Sequence, residues 1–123
     1  MNDPIHLNDT LNVSLTYQNG SIGTISYFAN GDKGLAKERI EVFTHGATEV
    51  IDNLKELTIY SGGKKKRTKL IWQDKGQKEA VKRFIEAILQ GKENPIPFEE
   101  IYHTSLVTFK IIKSILAGES VKI

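Results

Sequence analysis

Hydrophobic periodicity changes once along this chain, near Trp72, from a period of two to one of about 3.6 residues. Alternation marks a sheet with one buried face, whereas the longer period marks the buried stripe of a helix. A single switch segregates strands from helices. It argues against a doubly wound nucleotide-binding fold, which alternates the two. The expected fold is α+β, a mostly antiparallel sheet of about six strands over residues 11–72. Two C-terminal helices, residues 76–90 and 98–116, are expected to pack on one face, and residues 1–123 to form a single domain.

The strand half is divided by turn signals. Leu11, Val13, Leu15 and Tyr17 alternate with Asn12, Ser14 and Thr16, and Asn19-Gly20 follows as a hairpin turn. A two-residue turn there would set Tyr17 opposite Ile22, Val13 opposite Ser26 and Leu11 opposite Phe28. That register turns Ile25 and Tyr27 to the other side, unless Gly23 marks a bulge that shifts the phase. After an Asn30–Gly34 loop come strand candidates at residues 39–44, 48–51, 54–60 and 67–72. His45-Gly46-Ala47 and Ser61-Gly62-Gly63 read as turns. Tight turns between short strands imply an antiparallel meander, because parallel neighbours need long crossovers.

In the helical half, Val81, Phe84, Ile85, Ile88 and Leu89 recur at three- and four-residue steps, with Gly91 as a C-terminal cap and Pro95 and Pro97 as breakers. In the second helix Glu99 and Glu100 open the first turn and Lys110 and Lys113 lie near the end, as the helix dipole favours. Ile101, Thr104, Thr108, Ile111, Ile112 and Ile115 make its stripe, and Gly118 ends it. Residues 121–123 read as a short strand or an extended tail.

Composition narrows the chemistry. Seventeen Lys and Arg against fifteen Asp and Glu leave a net charge of +2, so no overall field points at nucleic acid. With no cysteine there is no disulfide framework, thiolate metal site or cysteine nucleophile. This suits a reducing, cytoplasmic location. No apolar run approaches the roughly 20 residues of a membrane span, and the polar start is no signal peptide. His6, His45 and His103 have no partner at metal-ligand spacing, and no metal site is expected. The strongest charge feature is Lys64-Lys65-Lys66-Arg67 with Lys69. Nine basic residues lie between positions 61 and 90, opposed only by Asp74, Glu79 and Glu86. Such a run, with Trp72 as a stacking surface, suits a small basic module that contacts polyanions. The plainer reading, a solvated hairpin tip that keeps an edge strand from aggregating, is favoured, and nucleic acid is not the expected partner.

Residues 12–43, NVSLTYQNGSIGTISYFANGDKGLAKERIEVF, resemble the C-terminal domain of the Gfo/Idh/MocA oxidoreductases, the glucose–fructose oxidoreductase and inositol dehydrogenase superfamily. The resemblance rests on the Asn19-Gly20 hairpin, the strand from Ser21 to Tyr27 and the strand from Ile40 to Phe43. The stretch from Tyr27 to Arg39 is most similar to dehydrogenases in which this module can follow a zinc-alcohol-dehydrogenase-like region. The closing helices fit too, with Pro95-Ile96-Pro97 leading into the second and Ser114 to Val121 closing the pattern.

The resemblance implies an NAD(P)-dependent parent enzyme acting on a sugar, polyol or related hydroxy compound. In that family NAD or NADP sits in an N-terminal Rossmann domain with a GxGxxG loop. The catalytic Lys lies in Glu-Lys-Pro, and an Asp and a His open the C-terminal region. This sequence has none of these motifs, so no catalytic residue carries over, no cofactor is expected on this chain, and the isolated chain is expected to be inactive. The resemblance further implies a homo-oligomer through the sheet, with Asn12, Ser14, Thr16, Ile25 and Tyr27 as interface candidates. Asn30, Asp32, Lys33 and Arg39 are the substrate-proximal candidates.

Overall fold

The computed structural model describes residues 10–123; His6 and the polar start lie outside the described residues. Strands β1 (Thr10–Thr16), β2 (Ile22–Phe28), β3 (Arg39–Thr44), β4 (Ala47–Asp52), β5 (Glu56–Ser61) and β6 (Lys64–Lys69) precede helices α1 (Gln77–Leu89) and α2 (Phe98–Ala117). The α+β class and the antiparallel meander are as expected. The strands, however, form two sheets rather than one: β1–β2, and β3–β4–β5–β6 in sequence order. Residues between β2 and β3 fold on themselves instead of extending a ladder. The Asp32 carboxylate accepts the Gly34 N–H at 2.7 Å, and the Leu35 N–H donates to the Asp32 carbonyl at 3.1 Å. The chain forms two compact units. One holds the described residues up to Gly31 together with Phe84–Ile123, and the other Asp32–Arg83.

In the first unit the hairpin register differs by one residue from that of a two-residue turn. Leu11 pairs with Tyr27, Val13 with Ile25 and Leu15 with Gly23. The cause is the turn. Gly20 has φ +83° while Asn19 is not left-handed, and the Gly20 N–H donates to the Tyr17 carbonyl. The Tyr17 N–H in turn donates to the Ser21 carbonyl at 2.9 Å. This is a three-residue loop with a bulge at the left-handed glycine, not a primed two-residue turn. The phase shift therefore sits at Gly20, not Gly23. One face now carries Leu11, Val13, Leu15, Ile25 and Tyr27, and the Tyr17 ring lies close to Gly23. Asn12, Ser14 and Thr16 share the other face with Ser26, Thr24 and Ile22.

In the second unit, tight turns set the register of the four-stranded sheet. His45 (φ 35°) and Gly46 (φ 80°) join β3 to β4, and Gly62 (φ 55°) and Gly63 (φ 71°) join β5 to β6. Both positions in each turn are left-handed, which matches the twist of an antiparallel pair. Asn53 and Leu54, also left-handed, turn β4 into β5 at the opposite end. That end is tied down by the chain after β6: the Leu70 N–H donates to the Lys55 carbonyl, and the Asp74 N–H to the Leu54 carbonyl. Lys75 pairs with Glu38 at 3.3 Å, and the Gln73 amide donates to Asn53.

Helix α1 ends as its glycine foretells. Gly91 is left-handed, its N–H donates to the Ile88 carbonyl, and the Lys92 N–H reaches the Ala87 carbonyl. These two bonds form a Schellman cap. Gly118 closes α2 in the left-handed conformation. Residues 119–123 form no strand; Lys110 donates to the Lys122 carbonyl and Ser114 to the Glu119 carbonyl. The helical stripes stay open to solvent: Phe84, Ile88, Ile112 and Ile115 are all exposed, and Ala87 is the buried apolar side chain among the described residues.

Candidate functional site

Side chains directly paired across a sheet share a face. Three rows therefore cross one face of the four-stranded sheet. They run Arg39–Asp52–Glu56–Lys69, Glu41–Val50–Thr58–Arg67 and Phe43–Thr48–Tyr60–Lys65. The opposite face carries an apolar row, Ile40, Ile51 and Leu57, and beside it a mixed row in which the exposed Glu49 lies between Val42 and Ile59. Ile40 and Val42 are nearly half exposed.

On the charged face two arginines are held by carboxylates. Arg67 donates from Nε and Nη2 to the two Glu56 carboxylate oxygens at 2.5 Å, and the Lys69 ammonium stands 4.0 Å from the same carboxylate. The Arg67 hydrogen bond holds the Glu56 carboxyl below its ordinary range, against partial desolvation. Arg39 donates to the Glu41 carboxylate at 2.6 and 2.8 Å, and this bond raises the already high guanidinium pKa. Arg39 and Arg67 are thus committed to neighbours on the sheet.

Positive charge is left over at the end of the sheet that carries the His45-Gly46 and Gly62-Gly63 turns. Lys64, Lys65 and Lys66 enter no ion pair among the described residues; the Lys65 ammonium instead lies over the Tyr60 ring, 5.5 Å from its centre. A cleft of about 390 Å³ opens there, lined by Thr48, Tyr60, Ser61, Lys64, Lys65 and the turn glycines. Sequence reasoning marked the lysines but missed Tyr60, Thr48 and Ser61. Only the β4–β5–β6 register, with Tyr60 between Thr48 and Lys65, brings these together.

The other expected residues are placed as follows. The basic run is not a hairpin tip ahead of a strand at 67–72 but the edge strand β6 itself, because the Gly62-Gly63 turn pairs Lys64 directly with Ser61; its side chains alternate between two faces instead of forming one patch. Trp72 is 81% exposed and lies beyond β6 in irregular chain. Asn30 belongs to the first unit and Asp32, Lys33 and Arg39 to the second. All four are exposed, and the Asp32 carboxylate is engaged within its own turn. The interface candidates divide, with Asn12, Ser14 and Thr16 on one face of the hairpin and Ile25 and Tyr27 on the other. His45 Nδ1 lies 3.1 Å from the Thr44 hydroxyl, and the His103 ring meets the Tyr102 ring edge-on. Among the described residues no group of three His, Asp or Glu side chains is placed to hold a metal ion, and no helix is long and apolar enough to cross a membrane.

No family model, curated protein or solved structure matches this chain.

Proposed function

We propose that this chain is the substrate-side and oligomerisation domain of a cytoplasmic NAD(P)-dependent dehydrogenase acting on a sugar, polyol or related hydroxy compound. On this reading the cofactor site and the catalytic Lys-bearing motif, and the Asp and His that open the family's C-terminal region, all come from outside this sequence. The chemistry is inferred from the Gfo/Idh/MocA-like pattern of residues 12–43 and of the closing helices. The observation that supports the oligomer is the row Ile40–Ile51–Leu57 on one face of the β3–β6 sheet, with Val42 and Ile59 flanking Glu49 in the next row; Ile40 and Val42 remain 46% and 47% exposed. Burying such side chains is favourable by about 25 cal/mol per Å² of apolar surface, so an uncovered patch of this kind favours association. Among the substrate-proximal candidates, Lys33 is the cation that enters no ion pair among the described residues. It is assigned to the hydroxyl or anionic groups of the substrate.

Calorimetric titration with NADH and NADPH tests the division of labour. No saturable binding is expected, and tight binding by these 123 residues would overturn it. Light scattering is expected to show a dimer or larger species, whereas a strict monomer at high concentration would remove the oligomerisation role. The genomic reading frame upstream of the Met1 codon is expected to encode a GxGxxG loop and a Glu-Lys-Pro motif. An in-frame stop codon there would overturn the parent-enzyme assignment.

A further inference from the structure

We propose that the free edge of β3 pairs with the same edge of a second copy of this chain, antiparallel about Ile40, so that two four-stranded sheets join into one. The contact uses the edge of the sheet, not its face, and does not rest on the dehydrogenase reading. Three observations carry it. First, β3 ends the β3–β4–β5–β6 order and is exposed along its whole length. The tight His45-Gly46 turn makes Thr44 and Ala47 a hydrogen-bonded pair, and the Asn53 N–H donates to the Glu38 carbonyl at 2.7 Å in the same phase. Hydrogen-bonded and open pairs alternate along an antiparallel ladder. Val42 and Ile40 therefore bond inward to β4, while the N–H and C=O groups of Arg39, Glu41 and Phe43 point out from the edge. No backbone bond outside the ladder engages them among the described residues.

Second, the edge is electrically self-complementary. Arg39 and Glu41 lie two residues apart on one face of the strand and are hydrogen-bonded at 2.6 Å. A two-fold axis through Ile40 sets each Arg39 opposite Glu41 of the second copy, in pairs whose outward N–H and C=O groups bond reciprocally. Opposite charges in facing positions stabilise a ladder, and like charges oppose it. Moving the axis to Glu41 would set Glu41 against Glu41. Strand β6 is the contrary case at the other edge. Its Gly62-Gly63 turn leaves Lys65, Arg67 and Lys69 with the outward groups, and any two-fold pairing there sets cation against cation. Third, the same axis joins the apolar rows. Ile40, Ile51 and Leu57 share the opposite face. With Ile40 facing Ile40 of the second copy, that row runs on unbroken through Ile51 and Leu57 of the second copy. The junction is an open pair, in which Cα atoms stand about 4.5 Å apart and side chains come closest. Ile40, 46% exposed in the single chain, is covered there.

The test is disulfide trapping in the full 123-residue chain, which has no cysteine of its own. With oxidised glutathione, Ile40→Cys is expected to give a covalent dimer at least about tenfold faster than Val42→Cys. Facing open-pair positions meet disulfide geometry, whereas Val42 stands opposite Glu38 of the second copy. In the Ile40→Cys chain, Glu41→Pro is expected to slow trapping by about tenfold or more, since it removes an outward N–H and leaves the β3–β4 bonds intact. Arg39→Glu should also slow it by opposing like charges, and adding Glu41→Arg should restore the rate. Circular dichroism and urea midpoints check that each variant folds. Val42→Lys, which disrupts a sheet-face contact, is expected to leave trapping through Ile40→Cys within about twofold, because Glu38 of the second copy faces that position. A loss there would assign the association to the sheet face and overturn the edge pairing. Absence of a covalent dimer would overturn it too, as would equal trapping through Val42→Cys or indifference to Glu41→Pro.

Discussion

Leu54 is the residue whose backbone is least natural for its side chain. With φ 48° it occupies the left-handed region beside Asn53 at φ 52°, and its carbonyl accepts the Asp74 N–H. A left-handed L-residue costs about 1–2 kcal/mol, least for Asn and most for β-branched side chains. Leu54→Val is therefore expected to lower stability by about 1–2 kcal/mol in urea denaturation. Leu54→Asn should leave the midpoint equal or higher, although it removes a half-buried side chain. Glu56 provides the second residue-scale expectation. Its folded pKa lies below its usual 4.5 because Arg67 hydrogen-bonds its charged form. The stabilisation is thus complete above the ordinary glutamate range and is lost as pH falls through 4.5 and below. Between pH 7 and pH 3 the urea midpoint of Glu56→Gln should fall less than that of the unsubstituted chain. Equal falls would show that the pair contributes nothing.

At the scale of elements, the β1–β2 hairpin shows how one turn residue decides a whole face. Asn-Gly serves either a primed two-residue turn or a three-residue loop with a glycine bulge. The second register gathers Leu11, Val13 and Leu15 with Ile25 and Tyr27, whereas the first would split them. A slip of one residue moves every side chain to the opposite face. Gly20→Ala should therefore cost about 1–2 kcal/mol in thermal unfolding, since Ala would have to hold a left-handed φ. Gly23→Ala should stay within about 0.5 kcal/mol, because its Cβ would meet the Tyr17 ring at an ordinary 3.6 Å. Strand β6 illustrates the complementary case. A run of like charge reads as one patch in the sequence, but the pleat deals Lys65, Arg67 and Lys69 to one face and Lys64 and Lys66 to the other.

For the molecule as a whole, the issue is what covers its apolar surface. Ile40 and Val42 face outward beside Ile51, Leu57 and Ile59 on the second unit's sheet. If this face carries self-association, Val42→Lys should convert the associated species to monomer in light scattering with little change in circular dichroism. Retained association would place the contact elsewhere. The sequence by itself determined the order of strands and helices, the turn and cap glycines and the alternation of polar with apolar residues. All of these depend on local φ preferences and on periodicity within a few residues. Tertiary structure alone decided the hairpin register and the separation of six strands into two sheets. It also decided which cations are neutralised and which remain beside Tyr60. Those outcomes depend on pairings between residues distant in sequence: Glu56 selects Arg67 eleven residues away because the β5–β6 ladder brings them together. No local pattern encodes that choice.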